Sequence, residues 1–324
     1  MKHRFTSLSW YRGGKMNVEN VRNLLPNECI EDFDNIVNGV VLGASNHIQM
    51  IINMYVQIAK ENDKENTLYR IEKVGTFFKE TRGKSSYAII NALKDVEKRI
   101  NSSKKENIFE AVSKAKNAYF EQNDKNIKNI ILYTERLIGN HQSVLLFDYS
   151  STVEKAICAL KNKIDVYIPE SRVIAGGFPY VKKITESGHQ VHFIADAAML
   201  SIIDKVDLVF IGAETFYPDG TAFNTVGSDI LAELCLNHNV PYYVLTPLLK
   251  CDIRALYGIF KDTLETDLKN KIGKDWPEDL REKVDFKSIE LVGVDSKFIT
   301  GYITEQGIIR PSDLFSMVEK EESI

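Results

Sequence analysis

The sequence predicts an α/β protein in which a helical amino-terminal domain, residues 1–140, precedes a domain built on a parallel sheet, residues 141–324. Two observations support this prediction. Apolar residues recur at three- and four-residue steps in the first part, as at Ile48, Ile51 and Ile52, which is the spacing of one helix face. Short apolar runs then alternate with helical stretches, a pattern that indicates βαβ units.

The predicted strands are five apolar runs, at 143–148, 164–168, 191–196, 206–212 and 240–245. Each run is apolar at consecutive positions, which suits strands that are covered by helices on both faces. We therefore expect a doubly wound, Rossmann-like domain, whose ligands would bind at the carboxyl ends of the strands. The charge-rich segment 261–287 predicts a solvated insertion.

Composition restricts the classes of partner. The 324 residues are 44% hydrophobic, and 41 basic against 45 acidic residues give a net charge of −4, so direct nucleic-acid binding is not expected. The four cysteines form no CxxC pair, so we expect neither a metal site nor disulfides, and a reducing cytoplasmic location fits best. With no run of about 18 apolar residues, membrane insertion is not expected.

Polar residues that directly follow the predicted strands are the first candidates for chemistry. Asp148, Arg172 and Glu214 stand out, because a charge next to a buried strand needs a partner or an open cleft. The alternative is structural: each of the three is commonly part of an ion pair or a helix cap. Ser150 or Ser151, and Asp196, are predicted as amino caps of the helices that follow them.

Four segments resemble the signatures of a known superfamily. In order, PESRVIAGG, HFIADAAM, FIGAETFYPDGTAFNTVGSDILA and YITEQGIIRPSDL are similar to motifs of the α, β and δ regulatory subunits of initiation factor 2B, of methylthioribose-1-phosphate isomerase and of ribose-1,5-bisphosphate isomerase. VLGASN at 41–46 and TRGKSS at 81–86 are more loosely similar to the phosphate-site segments of the isomerases.

The resemblance implies a ligand cleft between the two domains, a homodimer or higher homo-oligomer, and no cofactor or metal. The ligand would be a phosphorylated sugar or a nucleotide. Asp148 takes the position of a catalytic cysteine, and Glu214 that of a catalytic aspartate. The residues expected to hold substrate or phosphate are Gly43, Arg82, Ser150, Arg172 and Asn224.

This sequence also departs from the family pattern. Thr225 stands at the usual lysine position, and Leu42 at that of a phosphate-binding arginine. One hypothesis is therefore an aldose–ketose isomerase acting on a sugar 1-phosphate, with Asp148 and Glu214 as acid and base. A second is a non-catalytic regulatory or scaffold protein similar to the initiation factor 2B subunits. A third makes the charged residues a structural ion-pair network without a ligand.

Overall fold

The computed structural model describes residues 17–41, 43–61, 63–103, 107–261 and 264–322; Leu42 lies outside them. The chain packs as two compact units, divided between Asn123 and Asp124. This division falls within a single long helix, whose final residues, among them Ile130 and Ile138, are buried in the core of the second unit. The domain boundary at residue 140 stays a prediction.

The first unit is helical where it is described. Its helices are α1 Val18–Arg22, α2 Ile30–Val37, α3 Ala44–Ala59, α4 Lys64–Glu80, α5 Arg82–Ser85, α6 Tyr87–Ser102 and the first part of α7 Ile108–Ile138. Side chains accept from backbone amides at the starts of three of them: Asn17 from Glu19 at 3.0 Å, Asp63 from Asn66 at 3.2 Å, and Asn107 from Phe109 at 2.8 Å. The helices predicted from apolar spacing correspond to α3, α6 and α7 and are confirmed.

Three aromatic rings lie at the centre of this helical core. Phe33, Phe77 and Phe78 are buried, with ring centroids 5.3 to 5.6 Å apart in tilted and edge-on arrangements. Nearby, the buried Tyr55 hydroxyl donates to Glu97 Oε1 at 2.9 Å. The aromatic cluster thus ties α2 to α4.

The second unit alternates strands and helices. Its elements are β1 Ser143–Phe147, α8 Ser151–Cys158, β2 Asp165–Pro169, α9 Phe178–Glu186, β3 Gln190–Ile194, α10 Met199–Ile202, β4 Leu208–Ile211, β5 Thr215–Phe216, β6 Ala222–Thr225, α11 Ser228–His238, β7 Tyr242–Leu245, β8 Glu265–Asp267, α12 Glu278–Arg281, β9 Lys287–Ile289, β10 Leu291–Val294, β11 Gly301–Thr304, β12 Gly307–Ile309 and α13 Leu314–Glu322.

The main sheet has the order β12-β11-β7-β4-β1-β2-β3, and all its pairs are parallel except β11 with β12. The five predicted strands are β1, β2, β3, β4 and β7, so the parallel-sheet prediction is confirmed. Val144 and Leu146 are buried on one face of the sheet, and Leu145 and Phe147 on the other. This burial on both faces explains the consecutive apolar residues.

Strand order reverses beside β1, which lies between β2 and β4. In such sheets, ligands bind outside the carboxyl ends of the strands at this switch point. A small antiparallel sheet of order β10-β6-β5, and an antiparallel pair formed by β8 and β9 near the two ends of the charge-rich insertion, were not predicted. Of the helices described, none is both long and apolar enough to span a membrane.

Replacing Phe33 by alanine tests the aromatic cluster of the first unit. Since Phe33 is fully buried, Phe33→Ala should lower the free energy of unfolding by about 3–5 kcal/mol in urea denaturation. The matched control is Phe178→Ala, at a phenylalanine that is 72% exposed, and this change should stay within about 0.5 kcal/mol. Equal effects of the two substitutions would contradict the packing described.

Candidate functional site

Asp148 follows β1 at the switch point and is held as a buried carboxyl group. Its backbone has a φ of 59°, in the left-handed region, and its side chain is 6% exposed. Thr225 Oγ1 donates to Asp148 Oδ2 at 2.8 Å, and Ser171 Oγ donates to Oδ1 at 3.4 Å. Both carboxyl oxygens therefore have partners from other segments.

Tyr180 fixes the turn between β1 and α8. Its buried hydroxyl donates to the backbone oxygen of Asp148 and accepts from the amide of Ser150, both at 2.8 Å. Ser150 is the amino cap of α8, where its Oγ accepts from the amide of Val153 at 3.4 Å, so this cap prediction is confirmed.

The loop after β2 encloses the Asp148 carboxyl group. Ser171 and Ala175 also have positive φ, at 48° and 57°. Together with Asp148, they are three of the four described non-glycine residues with positive φ. Such backbone strain often accompanies functional sites. A Cβ atom on Gly176 would lie 1.9 Å from Asp148 Oδ1, so the approach requires glycine.

Asp196 does not act as the sequence suggested, and the role of Arg172 as a ligand stays a prediction. Asp196 does not cap the helix that follows it; its carboxylate accepts from the amides of Ser171 and Arg172, each at 2.8 Å. The cap prediction was wrong because the carboxylate holds the β2 loop instead. The Arg172 side chain is 61% exposed, and its Nη1 lies 3.6 Å from Glu170 Oε2.

Glu214 follows β4, the neighbour of β1, and its charge acts on Asp148. Burial raises the pKa of Asp148, and the Glu214 charge raises it further, while hydrogen bonds from Thr225, Ser171 and the Tyr149 backbone oppose the shift. The amide of Glu214 donates to the oxygen of Phe223 at 2.9 Å, which joins β4 to the small sheet. Glu214 therefore lies near enough for its charge to act on the Asp148 carboxyl group, and the roles of both acids in catalysis stay predictions.

The other predicted ligands are Asn224, Gly43 and Arg82. Asn224 is buried, and its Nδ2 lies 3.1 Å from Ser228 Oγ. Neighbouring residues of a strand point to opposite faces. Asn224 therefore points away from the side on which Thr225 contacts Asp148. Gly43 precedes α3 with a φ of 90°, and Arg82 begins α5, both in the helical unit. Their roles as substrate ligands stay predictions, as does the cleft between domains.

Two lysines were missed by the sequence analysis. Lys250 Nζ donates to the backbone oxygen of Ala213, next to Glu214, at 2.6 Å. The pKa of Lys261 is lowered by burial, and the charge of Glu214 opposes this shift. Lys250 comes five residues after β7, so an inspection of every strand end could have found it, whereas no pattern singles out Lys261. Within the described residues, no group of three His, Cys, Asp or Glu side chains is arranged to hold a metal ion.

A model of the initiation factor 2 subunit family matches residues 44–311. The chain belongs to this family. Ribose 1,5-bisphosphate isomerase of Methanocaldococcus jannaschii is 24% identical over 242 residues, 73% of this chain and 76% of that protein. Methylthioribose-1-phosphate isomerase of Caldanaerobacter subterraneus subsp. tengcongensis is 26% identical over 282 residues, 79% and 78% of the two chains. The chain is thus similar to sugar-phosphate isomerases.

Solved structures of translation initiation factors share the fold. Pyrococcus horikoshii OT3 translation initiation factor eIF-2B matches with a TM-score of 0.68 at 19% identity, over 89% of this chain and 98% of that one. A chain of the tetrameric eIF2B-beta2-delta2 complex from C. thermophilum matches with a TM-score of 0.62 at 18% identity, over 94% and 97%. At these identities the likeness concerns the fold.

Replacing Asp148 by asparagine tests its burial as an acid. Because the folded-state pKa is raised above the ordinary 3.8, the folded protein binds more protons than the unfolded chain between these two values. Its free energy of unfolding therefore falls as the pH rises through this window. Asp148→Asn, which tolerates the left-handed backbone, removes this loss.

Denaturation of both proteins between pH 3 and pH 8 provides the measurement. The stability of Asp148→Asn relative to the native protein should increase with pH and level off above the folded-state pKa. A relative stability that decreases with rising pH would mean that the Asp148 pKa is lowered.

Proposed function

We propose that the chain is an aldose–ketose isomerase acting on a sugar 1-phosphate. The observation that carries this proposal is the pair Asp148 and Glu214 at the switch point of a parallel sheet. Asp148 is buried with a raised pKa, and Glu214 follows the adjacent strand. The similarity to two sugar-phosphate isomerases supports the same reaction class.

The two acids have the chemistry that the reaction requires. A raised pKa keeps Asp148 protonated to a higher pH, which suits a general acid. In the proposed reaction it donates a proton to the ring oxygen as the bond between that oxygen and C1 breaks. Glu214 removes the proton from C2, which leaves an enediol phosphate.

Two proton transfers complete the reaction. The hydroxyl on C2 gives its proton to the Asp148 carboxylate and becomes the ketone, and C1 receives the proton that Glu214 took from C2, so both acids return to their starting states. C2 is oxidised and C1 is reduced within the same molecule, so no redox cofactor takes part. Thr225 and Ser171, which donate to the two oxygens of Asp148, would position its carboxyl group.

A regulatory protein that senses the same ligand without converting it is the second candidate. It is favoured by the hydrogen bonds that already occupy both oxygens of Asp148, and by the exposed side chain of Arg172 beside Glu170. A translation initiation factor has the same fold. The resemblance to regulatory subunits of initiation factor 2B therefore also supports this second candidate.

The proposal includes a homo-oligomeric state and a cytoplasmic location. Large apolar side chains are exposed on and beside α11, with Leu200 58%, Ile230 56% and Leu236 54% exposed. A second copy of the chain could cover them. One structural neighbour comes from a tetrameric complex, which is consistent with such assembly.

Phosphorus NMR tests the reaction directly. The protein should convert at least one of ribose 1-phosphate, ribose 1,5-bisphosphate and methylthioribose 1-phosphate into a ketose phosphate. Asp148→Asn and Glu214→Gln should each lower kcat by about a hundredfold or more. Glu186→Gln is the control, because its side chain is 63% exposed on α9, and it should leave kcat unchanged.

Stabilisation by one of these compounds without conversion would favour the sensor. Conversion that survives both acid substitutions would contradict the assignment of Asp148 and Glu214.

A further inference from the structure

Glu214 lies in a segment, Ala213–Tyr217, that is held by residues from beyond β7. We call it the Glu214 segment. Thr215 Oγ1 donates to the backbone oxygen of Lys250 at 2.9 Å, and the amide of Asp252 donates to the oxygen of Phe216 at 2.8 Å. The chain after β7 therefore runs directly beside the Glu214 segment.

Lys250 directs its ammonium group to the start of this segment. Its Nζ donates to Ala213 O at 2.6 Å, one residue before Glu214. An ammonium group has three N–H donors, and this bond uses one of them. The hydrogen bond therefore fixes a positive charge at the carboxyl end of β4.

Lys261 is anchored at the other end of the Glu214 segment, and its positive charge interacts with Glu214. Its backbone amide donates to the Tyr217 hydroxyl at 2.6 Å, which anchors Lys261 at the end of the Glu214 segment. Between the two lysines, Arg254 and the buried Asp252 form a two-pronged ion pair, with distances of 2.9 and 2.6 Å, so that these two charges balance.

Burial lowers the pKa of both lysines, and the Glu214 charge partly restores it. Water is therefore partly excluded from around the two ammonium groups. Electrostatic attraction to an anion is stronger in such an environment than at an exposed lysine.

We propose that Lys250 and Lys261 bind the phosphate group of the substrate beside Glu214, in place of the cation that this chain lacks at Thr225. Thr225 is neutral, and its hydroxyl donates to Asp148. In a sugar 1-phosphate, the phosphate is bonded through oxygen to C1, the neighbour of the carbon whose proton is removed. A phosphate site next to Glu214 therefore suits the reaction geometry.

This assignment rests on the proposed function for the identity of the sugar. Its test measures binding, so failure of the phosphate site can be distinguished from failure of the isomerase proposal. Titration calorimetry measures binding of ribose 1-phosphate and of inorganic phosphate to the native protein, Lys261→Gln, Lys261→Arg and Lys250→Gln. Lys182→Gln is the control, at a lysine whose side chain is 82% exposed on α9. Circular dichroism establishes that each variant is folded.

Lys261→Gln and Lys250→Gln should raise the Kd for ribose 1-phosphate about tenfold or more, because each removes a charged hydrogen bond. Lys261→Arg should retain much of the affinity, and Lys182→Gln should match the native protein. The affinity should also fall at alkaline pH as the lysines lose their protons, and this fall should be smaller in Lys261→Arg.

Several outcomes would overturn the phosphate site. It is wrong if the native protein binds neither compound, or if folded Lys261→Gln and Lys250→Gln bind ribose 1-phosphate with native affinity. It is also wrong if Lys182→Gln weakens binding as much as they do. If binding depends on the lysines but no ketose forms, the phosphate site stands and the isomerase proposal is wrong. If the native protein forms ketose but the lysine variants bind ribose 1-phosphate with native affinity, the isomerase proposal stands and the phosphate site is wrong.

Discussion

The hydrogen bond between Thr225 Oγ1 and Asp148 Oδ2 connects the two sheets of the second unit at the site. Asp148 directly follows β1 of the main sheet, and Thr225 ends β6 of the small sheet. A buried carboxyl group is unfavourable without partners, so the positions of both sheet ends depend on this contact. Residues 148 and 225 are two positions at which the sequence departs from the family pattern, and they contact each other.

The surrounding backbone is arranged around the same carboxyl group. Left-handed conformations at Asp148 and Ser171, and the absence of a side chain at Gly176, allow the β2 loop to close against it. These features reduce stability, since non-glycine residues with positive φ are strained and a buried acid is poorly solvated. Such local losses are typical of residues that are placed for chemistry, and they argue against a purely structural ion-pair network.

The sequence predicted what depends on hydrophobic pattern and motif order. The five strands and the helices α3, α6 and α7 follow from apolar periodicity, and the rule for strand ends directed attention to Asp148 and Glu214. Asp196 was misread because its use as a ligand for the β2 loop depends on tertiary contacts. Lys261 was missed because its place beside Glu214 comes from a hydrogen bond to Tyr217, far away in sequence.

A carbon-13 NMR titration of the side-chain carboxyl groups, with Asp148→Asn used to assign the Asp148 signal, tests the central claim most directly. If Asp148 is the buried acid of the site, its carboxyl group titrates with a midpoint above the ordinary 3.8. A midpoint at or below that value would contradict its role as a general acid, whatever ligand the site binds.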